Sequence, residues 1–324
     1  MGVNGSVLAI DAGNSKTDVA LIGTDGTVLS TARGGGFQPP VVGITTAVDV
    51  LGAAVERVLA AAGPDAGPVA HVSACLANAD LPVEEEELTE ALRERGWGGT
   101  VEVRNDTFAI LRAGVDEPRG VAVVCGAGIN CVGMVPDGRT ARFPAIGRIS
   151  GDWGGGSGLS EEAMWFAARA EDGRGEPTEL ARTLPAHFGL DSMYALIEAL
   201  HLGRIEGARR HELAPVLFAT ARDGDPVARA LVDRLADEVV ALSSVALSRL
   251  GLLDEEVPVV LGGSVLAARH PQVDDRIAEL LAARAPKAVV RVVTESPVLG
   301  AGLLGLDHTG AAPEVHSRLR AQYV

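Results

Sequence analysis

The sequence is poor in lysine and has no long apolar run, and each shortage excludes a class of protein. Lys16 and Lys287 are the only lysines among 28 basic residues, which stand against 43 acidic residues and give a net charge of −15. A field of this sign disfavours electrostatic binding to nucleic acids and to anionic membranes. No stretch approaches the roughly 18 apolar residues that a membrane-spanning helix needs. We therefore expect no nucleic-acid partner and no membrane association.

Cysteine is scarce as well, and its positions do not suggest a metal site or a disulfide framework. Cys75, Cys125 and Cys131 are an odd number, no CxxC pair occurs, and the seven histidines form no HxxxH pair. A reducing compartment fits this usage. The amino terminus lacks the basic and apolar segments of a signal peptide, so we predict a cytoplasmic protein.

What the sequence does have is length, apolar residues and glycine-containing turns. With 324 residues, of which 47% are hydrophobic, two domains are expected. Apolar segments at 7–10, 18–22 and 28–33 are separated by turns typical of hairpins. A similar pattern recurs at 121–124 and 131–135. The recurrence predicts a duplicated α/β unit, and two common hairpins arising by chance are the alternative.

Between and after these hairpins, apolar periodicity predicts helices and further strands. Early segments comprise a helix around residues 48–59, a strand at 69–77, a helix at 84–95 and a strand at 101–103. The second half is predicted to be mainly helical, with helices at 160–170, 191–201, 212–222, 227–250 and 297–305, strands at 257–261 and 289–293, and a short helix within 313–324.

The first turn, residues 11–17, carries an acidic residue, a glycine, hydroxyl groups and Lys16. Backbone N–H groups at such a turn can form an anion-binding nest, to which a lysine adds a cation. The spacing matches neither a Walker loop nor GxGxxG, so we interpret the turn as a hairpin that holds phosphate. A solvent-exposed turn lysine is the alternative.

Two later glycine turns also follow apolar strands. The turn Gly126-Ala127-Gly128 gains weight as the counterpart of the first. The turn Gly262-Gly263-Ser264 would allow a flat ligand such as a nucleobase or ribose to approach the backbone. Ser264 as a helix N-cap is the alternative, and both roles are compatible.

Asp106 lies at the end of the strand predicted at 101–103. A carboxylate in that position, facing a phosphate site, could take a proton from an alcohol. An N-cap for a helix starting at Thr107 is the alternative. The glycine-rich segment 151–158 is interpreted as backbone held close to a ligand or as a hinge, with a flexible loop as the alternative.

Taken in order, these motifs resemble the N-acetylglucosamine kinase family, which is grouped with the ATPases that activate benzoyl-CoA reductase. The resemblance covers nearly the whole chain. It implies an α/β, two-domain actin-like ATPase fold of the ribonuclease H-like type, with duplicated mixed five-stranded sheets flanked by helices and an interdomain cleft. The matching segments are Asp11-x-Gly13-x-x-x-Thr17, Asn105-Asp106, Cys125-Gly126-x-Gly128-x-Asn130, Gly151-Asp152-x-Gly154 and Gly262-Gly263-Ser264.

The resemblance also implies domain boundaries and ligands. An amino-terminal actin-like domain would span residues 1–115, and a carboxyl-terminal one would span 116–310. A last helix within 311–324 would pack back on the first domain. ATP and Mg²⁺ would be bound, a small amino sugar would be the substrate, and a homodimer is compatible with the family.

Residue roles follow from the same resemblance. Asp106 would be the catalytic base, and Asp11 would hold Mg²⁺ through water. Residues expected to contact the sugar are Gln38, Asn105, Asp106, Asn130 and Asp152. Residues expected to contact ATP are Asp11, Gly13, Asn14, Ser15, Lys16, Thr17, Gly126, Ala127, Gly128, Gly262, Gly263 and Ser264.

Two departures from the family pattern bear on phosphate and sugar binding. Relatives usually have Gly-Thr-Gly-Ser at residues 126–129, so two hydroxyl donors are missing here, and Lys16, Ser15 or Thr17 would contact the γ-phosphate instead. Trp153 stands where relatives often have glutamate, which puts an indole near the sugar pocket. These departures are similar to a group of actinobacterial kinases that act on glucosamine.

We therefore predict an ATP-dependent kinase that phosphorylates the 6-hydroxyl of D-glucosamine to give glucosamine 6-phosphate. An N-acetylglucosamine kinase is the main alternative. An ATPase that activates a reductase or dehydratase would need cysteines for an iron–sulfur cluster. A sugar-responsive regulator would carry a helix-turn-helix extension, which we do not expect here, and nothing in the sequence favours a filament-forming actin relative.

Overall fold

The computed structural model describes residues 5–63 and 67–323. The strands expected from the apolar segments are present, and the hairpin turns fall where glycine, asparagine and aspartate interrupt those segments. The strands of the described chain are β1 (Ser6–Ala12), β2 (Thr17–Ile22), β3 (Val28–Gly34), β4 (Val69–Leu76), β5 (Thr100–Asn105), β6 (Gly120–Cys125), β7 (Ile129–Met134), β8 (Thr140–Arg142), β9 (Val257–Gly262) and β10 (Ala288–Val292).

The helices of the described residues agree with the predicted segments to within a few residues at most ends. Helices α1, α6 and α11 were not predicted, and a helix near α10 was offered only as an alternative. The helices are α1 (Pro39–Val42), α2 (Ile44–Ala62), α3 (Pro82–Glu94), α4 (Thr107–Ala113), α5 (Gly155–Glu171), α6 (Leu180–His187), α7 (Met193–His201), α8 (Leu213–Arg222), α9 (Pro226–Leu250), α10 (Gly263–Ala267), α11 (Pro271–Arg284), α12 (Pro297–Thr309) and α13 (Pro313–Arg320).

The glycine-rich segment 151–158 requires a correction. Its second half is not a loop or a hinge, because α5 begins at Gly155 and includes the glycines that follow. Gly155 and Gly156 are buried against neighbouring backbone. Glycine is unfavourable in helix interiors, but it is tolerated where close packing leaves no room for a side chain.

The two sheets have the same strand order, which confirms the predicted duplication. The first sheet runs β3-β2-β1-β4-β5, and the second runs β8-β7-β6-β9-β10. In the first sheet, β1 pairs antiparallel with β2 and parallel with β4. Each sheet is therefore mixed and five-stranded, as the resemblance implied.

The described chain divides into two compact units. The first unit takes the described parts of Met1–Ala122, Val132–Pro144 and Val293–Val324. The second takes Val123–Cys131 and Ala145–Val292. The expected domain boundary between residues 115 and 116 stays a prediction.

In the first unit, helices cover both faces of the sheet. Alternate residues of β1 face opposite sides, so Leu8 and Ile10 pack in a core with α2 and α3. Ala9 and Val7 face α12. A strand that is covered on both faces has apolar residues at consecutive positions, which explains the apolar run in β1.

Helix α4, which directly follows Asp106, is tied to α12. Arg112 is 2% exposed, and its guanidinium bonds both carboxylate oxygens of Asp307, with Nε–Oδ2 at 2.7 Å. A bidentate pair of this kind fixes orientation as well as distance. The start of α4 is therefore held in place by a contact at its far end.

The second unit is mainly helical, as predicted. Helices α5, α6 and α8 pack on one another, and α9 packs along α11. Among the described residues, no helix is long and apolar enough to cross a membrane.

Candidate functional site

The candidate catalytic residues of the first unit lie at one edge of its sheet. Asp11 is next to last in β1 and pairs in register with Cys75 of β4, which in turn pairs with Arg104 of β5. The backbone N–H of Asp106 donates to the carbonyl oxygen of Leu76 at 3.2 Å. Because these strands are parallel, their carboxyl ends bring Asp11 and Asp106 to the same edge.

Three carboxyl groups at this edge have raised pKa values. Burial, followed by repulsion from Asp106 and Asp18, raises the pKa of Asp11 to about 7. Burial and repulsion from Asp106 and Glu84 raise the pKa of Asp80 to about 7. Burial also raises the pKa of the Asp106 carboxyl to about 6, against hydrogen bonds from Thr107 that lower it. Mutually repelling buried carboxylates are typical of catalytic and cation-binding sites.

The structure separates the two interpretations of Asp106. It occupies the N-cap position of α4, but its side chain makes no capping hydrogen bond. The neighbouring Asn105 takes part of that role, because its Oδ1 accepts from the backbone N–H of Thr107 at 3.0 Å. Asp106 nevertheless accepts hydrogen bonds from the backbone and the hydroxyl of Thr107, so its carboxylate contacts the first turn of α4 without making the usual capping bond.

Asn105 is itself buried and held by protein groups. Its Nδ2 donates to Oδ1 of Asp80 at 2.8 Å, and its backbone N–H donates to Glu85 at 3.2 Å. Asn105 therefore links Asp80 to the start of α4 and positions Asp106. Its contact with a sugar stays a prediction.

In the first hairpin, Lys16 has a partner inside the protein. Its Nζ lies 3.1 Å from Oδ2 of Asp18, and Lys16 keeps 53% of its side chain exposed. Arg33 also bonds Asp18, with Nε–Oδ1 at 2.6 Å. Burial raises the pKa of Asp18, but the hydrogen bonds from Arg33 and Lys16 outweigh it, so that pKa is lowered. Lys16 is exposed enough to reach an anion and is held near the turn by Asp18.

The tip of the first hairpin is braced by side chains. Gln38 Nε2 donates to the carbonyl oxygen of Asn14 at 2.8 Å, and Asn78 Nδ2 donates to Asn14 Oδ1 at 3.0 Å. Thr17 is buried, and its hydroxyl donates to Gly35 at 2.8 Å. Ser15 is exposed at the tip. Gln38 thus bonds the first hairpin, and its expected contact with the sugar stays a prediction.

The second hairpin is braced by backbone. The N–H of Gly156 donates to the carbonyl of Gly126 at 2.7 Å, and that of Ser157 donates to Ala127 at 3.0 Å. Gly155, with φ +72°, must be glycine because a Cβ there would lie 2.4 Å from the carbonyl oxygen of Ala127. The amino-terminal end of α5 is therefore docked directly on the turn.

The glycines of the two turns have open surroundings. A Cβ placed on Gly126 or Gly128 would meet no atom within 4 Å, and one on Gly13 would meet only the Lys16 carbonyl oxygen at 3.6 Å. Packing of the protein itself therefore does not require glycine at Gly126 and Gly128. Space of this kind, beside backbone, fits the close approach of a phosphate group.

The turn Gly262-Gly263-Ser264 has a different explanation. Gly263 has φ +82°, and a Cβ there would lie 2.4 Å from the carbonyl oxygen of Cys125. Contact with the end of β6 thus accounts for this glycine without a ligand. The N-cap of α10 is Gly262, the last residue of β9, and Ser264 lies inside the helix, so Ser264 is not the N-cap that the sequence offered as the alternative.

A pocket of about 210 Å³ lies in the second unit beside the second hairpin, lined by Gly128, Asp152, Trp153 and Glu161 among others. Asp152 Oδ2 accepts from the N–H of Gly147 at 2.8 Å, which fixes its carboxylate at the pocket. The expected contact residue Asn130 is partly buried, and its Oδ1 accepts from the N–H of Cys131 at 2.7 Å.

Trp153 gives this pocket a buried hydrogen-bond donor. The residue is 7% exposed, the guanidinium of Arg234 lies 4.2 Å from its ring centroid, and its Nε1 has no partner among the described residues. Burial and repulsion from Asp152 raise the pKa of Glu238, while Arg234 opposes the shift. Asp152 and Glu238 therefore add negative potential near the indole.

Two residues of the site were missed from sequence. Asp80 follows β4 in the same way that Asp106 follows β5, so polar residues after a buried strand were the available signal. Asp18 is the second residue of β2 and forms ion pairs with Lys16 and Arg33. Its pairing depends on β3 lying beside β2, which a single sequence does not state.

The donor set at the sheet edge fits a divalent cation. Asp11, Asp80 and Asp106 are carboxylates whose pKa values are raised by burial, and for Asp11 and Asp80 also by repulsion from Asp106. A cation would relieve both causes. Oxygen ligands of this kind suit Mg²⁺.

Comparisons with known proteins show which proteins this chain resembles. Residues 8–305 match the model of the BadF/BadG/BcrA/BcrD ATPase family. An N-acetylmuramic acid/N-acetylglucosamine kinase from Clostridium acetobutylicum is 26% identical over 263 residues, which are 80% of this chain and 85% of the relative. An N-acetyl-D-glucosamine kinase from Dictyostelium discoideum is 24% identical, with 93% and 97% of the two chains covered.

Solved structures share the fold. A candidate N-acetylglucosamine kinase from Chromobacterium violaceum has a TM-score of 0.67 and 24% identity, with 93% of this chain and 98% of that chain covered. A ROK family glucokinase from Streptomyces griseus, solved with glucose and AMPPNP, has a TM-score of 0.54 and 19% identity, with 94% and 98% covered. Both are actin-like sugar kinase folds, as the resemblance implied.

Proposed function

We propose that this protein, which belongs to the BadF/BadG/BcrA/BcrD ATPase family, is a sugar kinase that transfers the γ-phosphate of ATP to the 6-hydroxyl of D-glucosamine. The observation that carries the proposal is the Asp106 carboxylate, whose pKa burial raises to about 6 and which lies at the sheet edge with Asp11 and Asp80. Two relatives named as kinases of N-acetylated amino sugars support the reaction class.

Asp106 supplies the general base. Its pKa of about 6 leaves the carboxylate ionised at neutral pH and more basic than an ordinary aspartate. A base of this strength can accept the hydroxyl proton as the oxygen attacks phosphorus. Asn105 and the backbone contact to Leu76 hold the carboxylate in position.

Asp11 is the residue best placed to hold Mg²⁺, directly or through water. Burial and repulsion from Asp106 and Asp18 raise its pKa, and the attraction of Lys16, which is paired with Asp18, offsets this only in part. When bound, Mg²⁺ would neutralise charge on the transferring phosphate. Asp80 contributes further negative potential next to Asp106.

In each unit, the first hairpin turn is a candidate for phosphate binding. Lys16 provides an exposed cation at the first turn, together with the exposed hydroxyl of Ser15. Gly126 and Gly128 provide backbone that a ligand can approach, because the space beside them is open. Gly262 and Ser264 stay candidates for adenosine contacts.

The preference for an amine over an acetamide comes from the pocket of the second unit. Asp152, Glu161 and the nearby Glu238 favour a cationic group, and glucosamine is largely protonated near neutral pH. Trp153 occupies volume at the same pocket that an acetyl group would need. A local carboxylate is required for such selectivity, because attraction over longer distances is screened beyond ~10 Å.

The test is ATP turnover against glucosamine, N-acetylglucosamine, glucose and mannosamine. We expect the highest kcat/KM with glucosamine and a 6-phosphate product by NMR. Trp153→Ala should raise kcat/KM for N-acetylglucosamine relative to glucosamine, whereas Trp165→Ala, on an exposed tryptophan of the same unit, should leave the ratio unchanged. Failure of every sugar to stimulate turnover would reject the kinase.

N-acetylglucosamine kinase is the second candidate, favoured by the names of the two relatives. A kcat/KM for that sugar equal to or above the glucosamine value would select it. The iron–sulfur ATPase is disfavoured, because Cys75, Cys125 and Cys131 are all buried. Burial raises the pKa of the Cys125 thiol to about 12, against a hydrogen bond from Gly155, so this cysteine behaves as a buried neutral thiol.

A further inference from the structure

A cluster of metal-ligating side chains lies in the first unit, away from the acidic edge. His71 near the start of β4, Glu102 in β5 and His308 in the last turn of α12 each offer one ligand atom, and these atoms lie within 4.8 Å of one another. His71 pairs in register with Thr100, and Ser73 pairs with Glu102. His71 and Glu102 therefore lie on the face of the sheet that α12 covers.

His71 is presented as a metal ligand by its own hydrogen bonds. The Thr100 hydroxyl donates to the carbonyl oxygen of Ala70 at 3.2 Å, so it can only accept from Nδ1 of His71, 2.8 Å away. This fixes the hydrogen of the neutral ring on Nδ1 and leaves a lone pair on Nε2. His71 is 1% exposed, and Nε2 has no partner among the described residues.

The other two side chains each have an atom to offer. Both Nε and Nη2 of Arg104 bond Oε1 of Glu102, which leaves Oε2 facing His308 Nδ1 at 3.7 Å. His308 keeps 43% of its side chain exposed. The cluster therefore opens to solvent on one side and ends at a buried ring on the other.

We propose that His71, Glu102 and His308 form a site for a divalent transition metal of the zinc type. Two nitrogens and one carboxylate oxygen, with a fourth position open to water, are a recurring zinc ligand set.

Metal binding requires a small local rearrangement. The rings of His71 and His308 are stacked, with centroids 3.9 Å apart and planes at 10°, so their lone pairs lie in parallel planes. Ligand atoms on one tetrahedral zinc are about 3.4 Å apart, given bonds of ~2.0–2.1 Å. The exposed His308 ring must turn, and Glu102 must move inward, while His71 stays in place.

The site is remote from the proposed chemistry. Glu102 precedes Asp106 by four residues along β5 and its end, which is about 13 Å at ~3.3 Å per residue. A metal at the cluster would not touch the transferring phosphate. It would instead tie the last turn of α12 to β4 and β5, next to the bond from the Ser73 hydroxyl to the Ala301 carbonyl.

The experiment uses the full chain, stripped with chelator and titrated with Zn²⁺ by calorimetry and with Co²⁺ by visible absorption. We expect one ion per chain, a raised Tm, and a tetrahedral Co²⁺ spectrum without sulfur-to-metal charge transfer. His308→Ala and Glu102→Gln should each weaken binding at least tenfold. His201→Ala, on an exposed histidine in the last turn of α7, is the matched control and should bind normally.

Three outcomes would overturn the proposal: no saturable 1:1 binding by the wild type, equal affinity for wild type and His308→Ala, or a Co²⁺ spectrum with thiolate bands. His308 is exposed, so its alanine variant should fold, and circular dichroism checks this. Because the measured quantity is binding, the result is independent of whether the chain phosphorylates a sugar.

Discussion

The β1–β2 hairpin and the β6–β7 hairpin occupy the same position in the strand order of their sheets, yet their surroundings differ. The first carries Asp11, Lys16 and Asp18, and its tip is held by the side chains of Gln38 and Asn78. The second turn, residues 125–130, has no charged residue, and its carbonyl groups are held by the backbone of α5.

The two hairpins therefore share a backbone arrangement but offer different groups to a ligand: charged side chains in the first and backbone in the second. Side chains at the first hairpin can place charge and protons, and they can be replaced without moving the backbone. At the second hairpin the backbone itself is the binding surface, so its shape must be protected by close packing. Changes at the first should therefore alter activity, and changes behind the second should alter stability.

The largest effect is expected from Asp106→Asn, beside the charged hairpin. General base catalysis contributes ~10²–10⁴-fold, so kcat should fall by about that factor while Tm changes little. Asparagine keeps an oxygen that can accept the hydrogen bonds from Thr107, so α4 should keep its start. Steady-state kinetics with each sugar and a thermal melt measure both. Near-normal turnover would show that Asp106 is not the general base.

Gly155→Ala should break the support of the second hairpin. A Cβ would lie 2.4 Å from the Ala127 carbonyl oxygen at φ +72°. The backbone conformation alone costs roughly 1–3 kcal/mol for a residue other than glycine. Chemical denaturation should show a clear loss of stability. Gly13→Ala is the matched change in the first hairpin and should be nearly neutral, since its nearest neighbour is 3.6 Å away. Equal losses in both variants would contradict the contrast.

Lys16→Ala tests whether the charge of Lys16 contributes to ATP binding at the first hairpin. Loss of a charge-assisted contact of about 1.5 kcal/mol raises the KM for ATP roughly tenfold, with a smaller change for sugar. Lys287→Ala, at the only other lysine, is the control. Unchanged ATP kinetics would assign Lys16 to its ion pair with Asp18 alone.

The smallest effect is a pH dependence of stability in Mg²⁺-free buffer. The pKa of Asp11 is raised to about 7 in the folded chain, from an unfolded value near 4. The folded state therefore binds more protons between these values, so this group makes the free energy of unfolding fall as pH rises from about 4 to 7. His71, whose pKa is lowered to about 4, acts in the opposite sense below pH ~6.5.

The measured quantity is therefore the difference in Tm slope between variant and wild type from pH 5 to 8. In the wild type, this carboxyl should lower Tm by a few degrees as pH rises, since about 1 kcal/mol corresponds to ~2–4 °C. Asp11→Asn should not show this decrease. Asp137→Asn, at an exposed aspartate whose pKa is lowered, should keep the wild-type slope in this window. Parallel slopes for Asp11→Asn would show that its carboxyl is not perturbed.

Much of the site could be anticipated from local patterns. Asp106, Lys16 and the glycine turns stand out because each is an unusual residue at the end of a buried strand. Asp80, a polar residue after a buried strand, carried a similar signal and was missed. The Asp18 pair with Arg33 could not be anticipated, because Arg33 lies on a neighbouring strand. The glycines at 155 and 263 could be located in the sequence. Their close contacts could not be predicted, because the backbone that each approaches belongs to a distant segment.

The sequence by itself determined the strand–turn–strand repeats, the mixed α/β class and the residue types available for phosphate and proton chemistry. Apolar alternation and glycine turns act over a few residues, so one chain is enough to read them. Only the tertiary structure decided which charges meet. It raised the pKa values of Asp11, Asp80 and Asp106 by burying them together, and it joined His71, Glu102 and His308 across 237 residues of chain. Burial and proximity depend on how strands are ordered and covered, which no local pattern states.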